Sequence, residues 1–184
     1  MNDTINTIKT RRSVRFYEDK PIPKDMLNTI IRCGTLAPSG FNSQPWRFVV
    51  VQSDQVKAKL RSLALPAYKE WLVDAPDAIK ERQSQINDPV YYNAPVIIFV
   101  IGKGMTTDYD CPMACENMML TARSLGIGSI WVCFGMMPTK TPEIQQVFEI
   151  QEDEKVYGPI LLGYPKDGQF PDSPPKNEPV IKWM

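Results

Sequence analysis

The chain has 184 residues, 43% of them hydrophobic and 23% charged, which fits one globular domain able to bury a real core. Its 21 basic and 21 acidic residues cancel, and a net charge of zero argues against broad nucleic-acid binding, which needs a strong positive field. Histidine is absent, so His-based triads, Cys–His dyads and His-containing metal sites are excluded within this chain, and hard chemistry would fall to a cofactor.

From the N-terminus, Asp3 or Thr4 is placed to cap a short helix carrying Ile5 and Ile8, which ends at Arg11-Arg12-Ser13-Val14-Arg15-Phe16. Ile22-Pro23-Lys24-Asp25 opens a second helix with Met26, Leu27, Ile30 and Ile31 on one stripe; Gly34 loosens its end and Pro38 closes it. Residues 46–52 read as a strand, and Ser53 caps a helix over about residues 54 to 65. Residues 66–93 hold Pro66, Pro76 and Pro89 and the aromatics Tyr68, Trp71, Tyr91 and Tyr92, and read as an irregular, partly helical excursion, a lid over a pocket. Then follow a buried strand over 95–101, a helix from about 110 to 125 that stops at Gly126, a strand over 129–134, a helix opened by Thr141-Pro142-Glu143, and a strand over 156–163. The tail, 164–184, contains five prolines and the anchors Val180, Ile181 and Trp183, and reads as an extended arm. Strands alternating with helices predict an α/β or α+β layered fold in a single domain, 1–184.

Cys33, Cys111, Cys115 and Cys133 form no C-x-x-C pair, the N-terminus lacks a basic-then-apolar signal, and the apolar run 95–101 is too short to span a bilayer. The expectation is a cytoplasmic protein with reduced, structural thiols, no metal and no membrane partner.

Two segments carry candidate chemistry. Arg11, Arg12, Ser13 and Arg15 pack guanidinium forks and a hydroxyl into five residues, a set suited to a phosphate monoester. The plainer alternative is a solvated basic turn neutralised by Glu18 and Asp19. In the loop Pro38-Ser39-Gly40-Phe41-Asn42-Ser43-Gln44-Pro45-Trp46, Ser39, Asn42 and Gln44 offer both donors and acceptors, as the edge of a flat heterocycle requires, and Gly40 permits close backbone approach. The alternative is an ordinary helix-to-strand loop. A helix of roughly twelve residues, about 18 Å, separates the two segments, so they would more easily serve one ligand from separate subunits.

In combination these segments resemble the nitroreductase family of flavoenzymes. Arg11-Arg12-Ser13-x-Arg15 is similar to its N-terminal phosphate motif, and the Pro38 to Phe48 run to its flavin-contacting loop. Asn93-Ala94-Pro95, Gly126-Ile127-Gly128-Ser129 and Gly163-Tyr164-Pro165 extend the likeness over nearly the whole chain. The resemblance implies a central, mainly antiparallel sheet flanked by helices in an intertwined homodimer. Non-covalent FMN would lie at the subunit interface, with the arginines from one subunit and Pro38, Ser39, Gly40, Asn42 and Gln44 from the other. It further implies flavin contacts at Trp131, Val132, Cys133 and Phe134, the last two through backbone N–H groups, and a phosphate contact at Lys176. A second basic residue expected two positions on is Glu178 here, which leaves more of the phosphate to the arginines. Asn87 is a possible counterpart of a flavin-edge asparagine. Phe41, Tyr68, Trp71, Met136 and Met137 would shape the acceptor pocket. The implied activity is ping-pong transfer of electrons from NADH or NADPH to nitroaromatics, quinones or similar electrophiles, with no side chain acting as catalytic acid or base. Alternatives are another flavin reaction on the same fold, such as enone reduction, dehalogenation or flavin destruction, or a non-catalytic flavin-binding protein.

Overall fold

The computed structural model describes residues 2–84 and 86–184. Its centre is a four-stranded sheet of β1 (Trp46–Val51), β2 (Val96–Lys103), β3 (Gly128–Trp131) and β4 (Glu154–Gly163), ordered β1-β2-β4-β3 with every pairing antiparallel. β2 is central and buried over its whole length except Lys103, as its unbroken apolar run requires.

Strand periodicity divides the core between the two faces of the sheet. Val96, Ile98 and Val100 of β2, with Ile160 and Leu162 of β4, pack on α2 (Lys24–Gly34) and α5 (Thr107–Ser124) through Leu27, Ile30, Cys115 and Met118. Ile97, Phe99 and Leu161 face the other way, onto α3 (Asp54–Val73) and α6 (Pro142–Val147) through Leu60, Ala64, Tyr68 and Ile144. Each such side chain, fully buried, contributes on the order of 1.5–3 kcal/mol. This is the α+β arrangement expected from the sequence.

Across the end of β2, Arg47 of β1 grips Glu154 of β4. Nε and Nη2 donate to the two carboxylate oxygens, each at 2.7 Å. Two of the three remaining guanidinium hydrogens go to the carbonyls of Phe148 (3.1 Å) and Glu149 (3.0 Å).

Several element boundaries differ from expectation. The N-cap of α1 (Asp3–Thr10) is Asn2, whose side chain accepts from the Ile5 N–H at 3.2 Å. α3 continues through Pro66 to Val73, and α4 (Asp77–Ser84) follows, so much of 66–93 is helical. Proline removes one helical donor, but Pro66 and Ser62, whose carbonyl loses its partner, both lie on the exposed face. The buried stripe Leu60, Ala64, Tyr68 runs past on the other side and holds the helix together. α5 starts three residues earlier than expected, and β3 stops at Trp131, where the chain enters a 3-10 turn, Phe134–Lys140. Residues 171–184 are exposed and without regular structure, with Val180 at 103% and Trp183 at 88% exposure. Among the described residues no helix is long and apolar enough to cross a membrane.

Candidate functional site

The arginine segment is built onto the sheet. After α1 the chain runs beside β3, where Ser13 forms a parallel bridge with Ser129 and the Val14 N–H donates to the Ser129 carbonyl at 3.0 Å. Gly128 makes this approach possible: a Cβ there would sit 2.8 Å from Val14 Cβ. Tyr17 then bridges Pro165 at the end of β4.

Held this way, the arginines keep unused hydrogen-bonding capacity. Arg12 Nη1 donates to the carbonyls of Lys9 (2.8 Å) and Arg11 (2.6 Å), closing the end of α1, but its Nε is buried with no acceptor among the described residues. Arg15 lies over the Tyr92 ring at 5.8 Å, reaches the Ser13 carbonyl at 3.4 Å, and also has a buried Nε with no acceptor. Arg11 meets Glu116 of α5 only loosely, at 3.7 Å. Neither Glu18 nor Asp19 forms an ion pair among the described residues, which removes the self-neutralised basic turn. A cavity of about 540 Å³ opens beside Arg15, lined by Phe16, Lys166, Gln169 and Phe170 among others.

The Pro38 loop has a strained, locally braced backbone. Phe41, Asn42 and Gln44 adopt left-handed conformations, with φ of 54°, 54° and 46°. Such values are uncommon outside glycine and asparagine and cluster where function over-determines the chain. The Gln44 N–H returns to Ser39 Oγ at 3.1 Å and Gln44 Nε2 donates to Asn42 Oδ1 at 3.3 Å. Gly40 is tied to α5 through its N–H, which reaches both oxygens of Asp110 at 3.3 Å. Phe41 is fully exposed, with a relative accessibility of 100%.

Beyond β3, Val132 is buried, and its N–H donates to the Pro159 carbonyl at 3.0 Å. Val132 thus belongs to the core by its side chain. Cys133 is exposed, and neither its N–H nor that of Phe134 finds an acceptor among the described residues. Phe134 packs on Tyr68 and Trp71, with ring centroids 5.5 and 5.0 Å away, so the β3 exit and the aromatics of α3 form one cluster. Met136 is half-buried in the same turn and Met137 more exposed. Cys111 and Cys115 are fully buried in the core; burial pushes the Cys111 thiol up to about 12, which makes it a poor nucleophile.

The fold thus unites the arginine segment with the Ser129–Phe134 stretch and the aromatics. The Pro38 loop has its own attachment point. The loop is tied to Asp110 near the start of α5, whereas Arg123 near its end donates to the Thr10 carbonyl beside the arginines at 3.0 Å. Thirteen residues of helix set these anchor points about 20 Å apart. Lys176 lies in the exposed tail and Asn87 in an exposed turn. Asp110 and Glu116 escaped sequence reasoning: on a helix they look like solvated acids, and only the packed structure shows what they meet.

A family model, that of the nitroreductase family, matches residues 8–164. The chain is similar to a nitroreductase with bound FMN from Bacteroides fragilis, with 31% identity, complete coverage of both chains and a TM-score of 0.80. A protein from Archaeoglobus fulgidus, named provisionally an NADH dehydrogenase/NAD(P)H nitroreductase, is 32% identical over 91% of this chain and 88% of its own length. An iodotyrosine deiodinase from Haliscomenobacter hydrossis is 26% identical over 93% of this chain and 83% of its own length.

Proposed function

Because the chain belongs to the nitroreductase family, we propose that it is an FMN-dependent oxidoreductase that takes electrons from NADH or NADPH and reduces nitroaromatics, quinones or similar electrophiles. The observation that carries this reading is the pair of buried Nε groups on Arg12 and Arg15 with no acceptor among the described residues. Buried donors are ordinarily satisfied, and a phosphate beside Ser13 supplies the missing acceptors. The residues therefore fit the flavin nucleotide: Arg11, Arg12, Ser13, Arg15 and Lys176 would hold its phosphate, and Trp131 to Phe134 would lie along its ring.

Bound FMN would supply the redox chemistry, accepting a hydride from the nicotinamide and passing electrons to the acceptor in ping-pong order. The chain's own part is binding and electrostatics. The free N–H groups of Cys133 and Phe134 would favour negative charge at the ring edge, a preorganised effect. No histidine is needed, since water can deliver protons. The separate attachments of the Pro38 loop at Asp110 and of the Thr10 carbonyl at Arg123, about 20 Å apart along α5, support a homodimer in which Pro38, Ser39, Gly40, Asn42 and Gln44 come from the second subunit. The exposed tail would reach across as an arm. Phe41, Tyr68, Trp71 and Met136 would line the acceptor pocket under a lid drawn from 66–93. Four free cysteines fit a reducing, cytoplasmic setting.

The purified protein should be yellow and should bleach on anaerobic addition of NADH or NADPH. A colourless protein indifferent to added FMN would overturn the reading. Replacing Arg11 and Arg12 by Ala should strip most of the flavin; full retention would remove the phosphate assignment. The likeness to an iodotyrosine deiodinase favours reductive dehalogenation as the second reading. A panel of nitro, quinone, enone and halophenol acceptors, offered to the reduced enzyme, separates the two.

A further inference from the structure

Asp110 is 2% exposed, and among the described residues no lysine or arginine nitrogen lies within ion-pairing distance of its carboxylate. A buried carboxylate must be compensated by donors. The donors here are the Thr106 hydroxyl, 2.7 Å from Oδ2, and the Gly40 N–H, 3.3 Å from each oxygen. Asp110 also sits in the first turn of α5, where the helix dipole favours negative charge. The fit around Gly40 is close: a Cβ there would stand 2.8 Å from Thr106 Cγ2. Gly40, Thr106 and Asp110 therefore form a clasp seventy residues apart in sequence between its first and last members. It closes immediately before the left-handed residues Phe41, Asn42 and Gln44.

We propose that Asp110 is a positioning residue for the flavin: it holds the Gly40 end of the loop against α5, so that Ser39, Asn42 and Gln44 present their polar groups in the binding conformation. The inference rests on the FMN reading above. Left-handed non-glycine residues persist only when surroundings over-determine them. The Ser39–Gln44 hydrogen bond is internal to the loop; the Lys103 N–H holds the Pro45 carbonyl at its far end at 3.1 Å, and the Asp110 carboxylate supplies the attachment at the Gly40 end. Since α5 also meets Arg11 at Glu116 and the Thr10 carbonyl at Arg123, the clasp fixes the loop to the helix that supports the arginine segment along its middle and end.

Asp110→Asn tests this with little change of volume: the amide keeps one oxygen to accept, turns an NH2 donor where the second carboxylate oxygen met the Gly40 N–H or the Thr106 hydroxyl, and loses the charge. Hydrogen exchange on flavin-free protein should show faster exchange across 39–44 while β2 amides are unchanged. Isothermal or fluorescence titration should show FMN Kd rising about ten- to a hundredfold, as loss of a charge-assisted hydrogen bond implies. Thr106→Val and Thr106→Ser form a milder pair that leaves Asp110 itself in place and removes or keeps the hydroxyl that donates to it: the serine variant should keep the wild-type Kd and the valine variant should not. Unchanged exchange at 39–44 and unchanged Kd in Asp110→Asn would overturn the proposal, as would equal behaviour of the two Thr106 variants if Asp110→Asn fails to fold. If the wild type itself binds no FMN, the functional reading falls, and exchange at 39–44 alone decides whether the clasp exists.

Discussion

Glu154→Gln is the most quantitative test of the fold. The carboxylate receives two hydrogen bonds from Arg47 at 2.7 Å and one from the Gln151 N–H at 2.9 Å, and its side chain is only 9% exposed. Arg47 is 37% exposed, so solvent screens its side of the pair and the upper range for buried ion pairs does not apply. Charge-assisted bonds of this kind are worth about 1.5–3 kcal/mol. With an unfolding entropy of roughly 2.1 cal/mol/K per residue, a chain of 184 residues should lose about 4–8 °C in Tm. The Arg47 hydrogen bond holds the Glu154 carboxyl below its ordinary value of 4.5. Its stabilisation is therefore complete above that value and disappears as the pH falls through the lower folded-state value. The variant has nothing to titrate there, so the gap between the two proteins should close on acidification. Circular-dichroism melts at one protein concentration from pH 7 downward provide the assay. A gap below 1 °C at pH 7, or one that survives acidification unchanged, would refute the reasoning.

Gly128→Ala should cost about 1–3 kcal/mol by overpacking against Val14, and should weaken FMN binding because the Ser13–Val14 segment can no longer lie along β3; normal flavin content with normal Tm would contradict the placement. On the homodimer proposal the full chain should sediment as a dimer and a chain ended at Phe170 as a monomer, since the missing arm carries Val180, Ile181 and Trp183; an unchanged sedimentation coefficient beyond the mass lost would exclude the arm as the link. A thiol reagent should modify exposed Cys133 rapidly in the native protein and reach Cys111 and Cys115, both 0% exposed, only on unfolding; rapid modification of either buried thiol would show that the α5 core face is not packed as described.

What was legible in the sequence follows from where the signal is local. The unbroken apolar run of β2 and the stripe of α2 announce themselves because burial on both faces, or on one helical face, dictates residue type directly. The Thr141-Pro142 start of α6 is equally local: Thr141 Oγ1 accepts from the Ile144 N–H at 3.5 Å. Pro66 misled because a broken hydrogen bond on a solvated face costs less than a buried stripe returns, and that balance is tertiary. The 129–134 stretch reads as one strand from its β-formers, yet the ladder to β4 ends at Trp131 opposite Ile160: Val132 still donates to the Pro159 carbonyl, but proline has no N–H to return. At the candidate site, the arginines and the polar loop were visible as residue types. Their support was not. Asp110 gives no sign in sequence that it faces a backbone N–H seventy positions away, and Gly128 none that Val14 lies over it.

The Ser13–Val14 bridge has a consequence for solubility. A sheet edge with unpaired peptide groups is a template for strand recruitment and aggregation. The outer side of β3 is covered at Ser129 by the chain's own beginning, whereas among the described residues β1 pairs only with β2. Recruitment therefore has one edge to attack, and that edge bears the run Trp46-Arg47-Phe48-Val49-Val50-Val51, rich in strand formers. Arg47 is its single charge, and it is already committed to Glu154. Loss of that pair would thus free a charged gatekeeper while loosening the strand it guards, so variants at Glu154 should be watched for turbidity as well as for a lower melting point.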